Sequence, residues 1–163
     1  MADNAVISDL KRSGWKEEDR GRYLSMYQEE MAAGLTRQEE ERLFGESFVD
    51  AGYAADMRET IDSIEDPRQR KSAALLLRTY EREGGRADEE RKNQVLLARV
   101  EARAAEISDS AGEDTISGMA QRLSGRSRRR ARTAQEKAKQ AKELLDQIAE
   151  KDEKGKVKPM YTE

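Results

Sequence analysis

Arg126, Arg128, Arg129, Arg130 and Arg132 put five guanidinium groups into seven residues, with no acid among them and Arg122 just upstream. Side chains of this type at this density bind anions. Each phosphate they neutralise releases condensed counterions, so such binding weakens with salt. An acidic protein surface satisfies them equally well. The spacing places the cluster at the start of a helix, where like charges repel one another and oppose the positive end of the helix dipole. Three readings follow: nucleic-acid backbone, an acidic protein surface, or a solvated charge run. No aromatic side chain lies nearby to stack on a base, so a nucleic acid would be held by its backbone and not read by sequence.

The other groups with reactive potential are carboxylates. Glu39 to Glu41, Glu89 with Glu90, and Asp152 with Glu153 are adjacent acids. Each set sits among Lys and Arg in solvent-facing runs, whereas a catalytic acid needs surroundings that raise its pKa. The chain has no histidine and no cysteine. That removes the usual general base and commonest metal ligand, and the thiolate nucleophile. Carboxylate di-metal sites in helix bundles use Glu-x-x-His pairs, and that route is closed in its usual form. Gly84-Gly85 lacks the following Lys-Ser/Thr of a phosphate loop, and Gly125-Arg126-Ser127 is not one either. Tyr23, Tyr27 and Tyr53 read as core fillers. No metal, cofactor or small-molecule ligand is implied, and the chain reads as non-enzymatic.

One local pattern points elsewhere. Glu46-Ser47-Phe48 resembles the Glu-Ser start of the catalytic motif in lytic transglycosylases, which cleave peptidoglycan with a single glutamic acid. Gly118-Met119-Ala120-Gln121 resembles that family's later Gly-x-x-Gln element. The resemblance implies Glu46 as the catalytic acid. The two elements stand about 70 residues apart, farther than in the family pattern.

The elements that must carry these residues are helices. No stretch alternates apolar and polar residues with β-branched enrichment, and both prolines sit where helices begin or stop. The punctuation predicts helices over 4–12 and 16–33, the second with Tyr23, Tyr27 and Met31 on one face and Gly34 as its C-terminal residue. Thr36 and Glu39 have the spacing of a capping box, followed by a buried face of Leu43, Phe44, Phe48 and Val49 and a stop at Gly52. A further helix over 53–65 carries Met57, Ile61 and Ile64. Asp66-Pro67 reads as a cap plus first helical residue, opening a helix that ends at Gly84-Gly85, the expected hinge. Asp88 caps the next, with the stripe Leu97, Val100, Ala104 and Ile107, and a polar break follows over 108–113. Ile116, Met119, Ala120 and Leu123 mark a short helix. The last, over 127–152, repeats Ala131, Ala134, Ala138, Ala141, Leu145 and Ile148 at alternating intervals of three and four, a heptad seam. Such a helix packs on its own domain, pairs with another molecule, or stands as a solvated rod. The tail 156–163 either docks on a neighbour or frays.

Composition limits what these helices can bury. Of 163 residues, 40% are charged, and Leu, Ile, Val and Phe together make up about 15%, below the roughly 20% under which chains lean toward disorder. Net charge is only −3, which argues for a fold. Residues 1–66 carry 17 acids and 8 bases, whereas residues 111–163 carry 9 and 13. Contacts between an acidic front and a basic rear, within or between chains, are expected. No window has the roughly 20 apolar residues of a membrane span, and the N-terminus lacks the features of a signal peptide. The expected location is the cytoplasm or the interior of a virus particle.

The resulting expectation is an all-α, elongated protein of six to eight helices with a heptad-patterned C-terminal helix. It divides into an acidic helical region (1–83), a hinge with middle helices (84–125), and the arginine-rich start, coiled-coil-like helix and tail (126–163). Chains of this composition are similar in type to scaffolding and internal virion proteins of tailed bacteriophages. A homo-oligomer or larger protein assembly is the expected partner, with nucleic-acid backbone as the alternative.

Overall fold

The computed structural model describes residues 5–107 and 115–161, with side chains described as far as Lys151. These residues form six helices and no strand: α1 (Ala5–Lys11), α2 (Glu17–Ala33), α3 (Arg37–Gly45), α4 (Ala51–Asp62), α5 (Pro67–Ile107) and α6 (Ile116–Tyr161). None is long and apolar enough to cross a membrane. The protein is all-α. The expected break over 108–113 lies outside the described residues.

Local signals set most helix starts. Thr36 and Glu39 form the reciprocal capping box: the Glu39 N–H donates to Thr36 Oγ1 at 3.1 Å and the Thr36 N–H to Glu39 Oε1 at 2.8 Å. The Asp50 side chain caps α4 by accepting the Tyr53 N–H at 3.0 Å, so Gly52 lies inside that helix and does not stop α3. Pro67 opens α5, and the Asp66 carboxylate accepts the Arg68 N–H at 2.9 Å. Gly34 follows α2 with φ of +72° and donates its N–H to the Glu30 carbonyl, a left-handed φ that glycine adopts without steric cost.

Two expected boundaries do not exist. Gly84-Gly85 does not end a helix, because α5 runs unbroken through both. Asp88, expected as a cap, lies inside α5; its carboxylate accepts the Ser47 hydroxyl at 2.6 Å and the Phe48 N–H at 2.8 Å. The short helix at 116–123 and the long one after 127 are likewise one helix of 46 residues.

Gly84 has a packing role that replaces punctuation. A Cβ built there would stand 2.6 Å from Val49 Cγ2 and 3.2 Å from the Phe48 carbonyl oxygen, whereas one at Gly85 meets nothing within 4 Å. Opposite outcomes are expected for the two alanine variants in thermal melts. Gly85→Ala should stabilise by about 0.5–1 kcal/mol through helix propensity. Gly84→Ala should lose about 1 kcal/mol, as crowding against Val49 and the chain at Phe48 outweighs the same gain.

The chain forms two compact units. The first comprises Met1–Glu46 and Glu89–Ala131, the second Ser47–Asp88 and Arg132–Glu163. In the first, Val6 and Leu10 of α1 and Tyr23 and Tyr27 of α2 pack with Leu97, Val100 and Ala104 of α5 and Leu123 of α6. Met26, not Met31, completes the α2 face, since Met31 is 40% exposed, and Ile107 lies outside its stripe at 53%. In the second, Met57 and Ile61 of α4 meet Leu77 and Tyr80 of α5 and Ala138, Ala141 and Leu145 of α6.

The expected buried face of α3 is absent. That helix buries no residue, and Phe44 is 86% exposed. Ion pairs tie α3 and the residue after it to α5. Arg99 reaches Glu39 from α5, and Arg91 pairs with Glu46, the residue that follows α3.

Candidate anion-binding face of the last helix

Helix α6 sorts its side chains by angle. At 100° per residue, Leu123, Ser127, Ala131, Ala134, Ala138, Ala141 and Leu145 fall on one side, and all are buried. Ile148 is half-buried, and Leu144 is 47% exposed. Of the buried residues, Ala138, Ala141 and Leu145 pack in the core of the second unit.

The arginine cluster divides along the same line. Arg130 lies toward the buried side, where its Nε donates to Glu90 at 3.0 Å and its Nη1 pairs with Asp9. The Ser127 hydroxyl, itself fully buried, donates to the other Glu90 oxygen at 2.6 Å. Burial opposes the Arg130 charge, but the bonds to Glu90 and Asp9 outweigh it and hold the guanidinium pKa above its ordinary value. Arg130 is thus an internal clamp between α1, α5 and α6 within the first unit.

Arg126, Arg128, Arg129 and Arg132 are exposed, and none is in an ion pair among the described residues. Arg122 is exposed one turn earlier. The sequence expectation that the cluster opens a helix is corrected: Arg126 stands ten residues inside α6, beyond the first turn to which the dipole effect is confined. What opposes these charges is their mutual repulsion, eased by solvent. The arrangement can grip phosphates or carboxylates and offers no acid–base or nucleophilic chemistry.

Several acids of the front half find their counter-charges on α5. Arg103 pairs with Glu29 at 2.7 Å and Glu30 at 3.0 Å, and Arg99 reaches Glu30 at 3.6 Å as well as Glu39. The Thr36 N–H, with Arg99 behind it, holds the Glu39 carboxyl below its ordinary 4.5. A carboxyl with a depressed folded pKa stabilises above its unfolded pKa, and that contribution is lost as pH falls through the lower folded value. Hydrogen-exchange protection at the first turn of α3, taken relative to the intrinsic exchange rate at each pH, is therefore expected to fall as pH drops through the lowered Glu39 value, and Glu39→Gln should flatten that dependence while weakening the Arg99 contact.

Two buried acids were not legible as such in the sequence. Glu83, 3% exposed, accepts from Arg86 at 3.3 Å and lies 4.0 Å from Lys137 of α6 in the second unit. Glu90, 8% exposed, does the same for Arg130 in the first. Each unit thus has one carboxylate on α5 facing a cation on α6.

The residues of the lytic-transglycosylase resemblance have other partners. Glu46 pairs with Arg91 and is 47% exposed, on the wall of an open groove of about 680 Å³ floored by Leu43, Val95 and Ala98. Gly118 lies in the first turn of α6, where its N–H donates to Thr115 Oγ1 at 3.1 Å. Among the described residues no three acids gather in a way that could hold a metal ion. No family model matches this chain, and no similar protein emerges among curated sequences or solved structures.

Proposed function

We propose that the protein works by contact and not by catalysis, as an assembly protein of the scaffolding or internal virion type, and that the exposed arginine face of α6 is its gripping surface. One observation carries the reading: Arg130 is neutralised inside the fold, while Arg126, Arg128, Arg129 and Arg132 remain exposed without a carboxylate partner among the described residues. The alanine-rich, all-helical, charge-dense make-up supports the same class. Replacing those four arginines by Gln tests it. Helicity and melting temperature should stay close to wild type, since surface changes usually fall within about 0.5 kcal/mol, while binding to an anionic partner is lost.

A second reading, a nucleic-acid accessory protein, draws on the same unpaired arginines. It makes a quantitative prediction. With four phosphate contacts, the logarithm of duplex affinity should fall against the logarithm of salt concentration with a slope of about −3.6. The glutamine variant should abolish the shift in a salt-titrated mobility assay. A wild-type chain that shifts no duplex at low salt removes this second reading.

A further inference from the structure

We infer that the anionic neighbour gripped by α6 is a second copy of this chain, and that the surface it offers is the acidic face of α4. The inference rests on the contact reading above and names its partner. Helix α4 buries Ala54, Met57 and Ile61, which turns Asp56, Glu59 and Asp62 outward, and all three are exposed. They stand at positions i, i+3 and i+6. Arg126, Arg129 and Arg132 have the same spacing on α6. Each row therefore advances about 4.5 Å per step and spans about 9 Å, so three carboxylates can face three guanidiniums in register.

None of these six side chains has a charged partner among the described residues, although other exposed charges do. Arg58, on α4 itself, is taken up by Glu81 at 2.5 Å. Glu65 and Asp66 are also exposed and extend the acidic surface past the end of α4. The chain as a whole carries −3, which disfavours a polyanion at long range. Two copies at −3 each repel only modestly, and an acidic row meeting an arginine row offsets that repulsion at the contact.

Because every copy carries both rows, the contact either closes reciprocally into a two-fold dimer or propagates head-to-tail into a ring or an open chain. Both rows are exposed, so the association is weak and screened by moderate salt.

A charge swap tests it by light scattering. One variant is Arg126→Glu with Arg129→Glu and Arg132→Glu; the other is Asp56→Arg with Glu59→Arg and Asp62→Arg. At low ionic strength the wild-type mass should rise with concentration, and the rise should vanish in moderate salt. Each variant alone should stay at the monomer mass, because both its faces then carry one sign. An equimolar mixture of the two should recover the rise. A mixture that stays monomeric, a variant that still self-associates, or a wild-type chain that is monomeric throughout would overturn the inference. If the wild type is monomeric yet shifts a DNA duplex through its arginines, only the partner is wrong; if the arginines affect neither readout, the contact reading fails too. Should a reversed variant lose its circular-dichroism signal, R126Q/R129Q/R132Q and D56N/E59Q/D62N replace the pair, and loss of the concentration-dependent mass in each is the required result.

Discussion

Leu145→Asp should unfold the second unit and not loosen an oligomer. Leu145 has no exposed surface and packs with Met57, Ile61, Leu77 and Tyr80. Removing it forfeits about 2–5 kcal/mol in the manner of a core Leu→Ala change. Burying an unpaired carboxylate adds a desolvation cost of several kcal/mol more. Together these exceed what a small helical unit holds in reserve. Adding Ile148→Asp, at a half-buried site, deepens the loss. Leu144→Asp, at a 47% exposed neighbour, is the control and should change stability by no more than about 0.5 kcal/mol. Thermal melts followed by circular dichroism read all three. Intact helicity with a reduced oligomeric mass for Leu145→Asp would mean that the seam faces another molecule.

Arg130→Ala should be far more damaging than the same change at Arg128 or Arg129. It strands Asp9 and Glu90, whose side chains are 14% and 10% exposed, and removes one of the two groups that satisfy Glu90. Breaking a fully buried pair from one side costs about 3–5 kcal/mol. Arg130 keeps 31% of its side chain exposed, so about 2–4 kcal/mol is the appropriate expectation. Arg128→Ala and Arg129→Ala should stay within about 0.5 kcal/mol. Equal melting temperatures for the three variants would show that the clamp contributes nothing and that the cluster is uniform.

The division within the arginine cluster was present in the sequence as helical register. Arg130 falls three residues after Ser127 and four before Ala134, on the seam side, whereas Arg126, Arg129 and Arg132 do not. Reading the cluster as a density of charge concealed this, because composition carries no angle. The same holds for Glu83 and Glu90. They are seven residues apart, as are Arg130 and Lys137, two turns on each helix. Each acid–cation pair joins α5 to α6 within its own unit.

Features decided by neighbouring residues were legible, including the capping box at Thr36, the start at Pro67 and the stripe through Leu97, Val100 and Ala104. Features decided by distant residues were not. A glycine pair ordinarily marks a turn, and only the approach of Phe48 and Val49 explains Gly84 in mid-helix. Phe44 looked like core because a phenylalanine in an amphipathic helix usually is. The helix and the residue after it are instead tied to α5 by Arg99 and Arg91, and no local pattern announces that.

Sedimentation of the wild type and of R126Q/R128Q/R129Q/R132Q, each alone and with a short DNA duplex, at low and moderate salt, tests most directly whether the exposed arginines are the working surface. The wild type should gain mass at low salt and lose the gain at moderate salt, while the variant, equally helical, gains none under any condition. A variant that matches the wild type throughout would contradict the account.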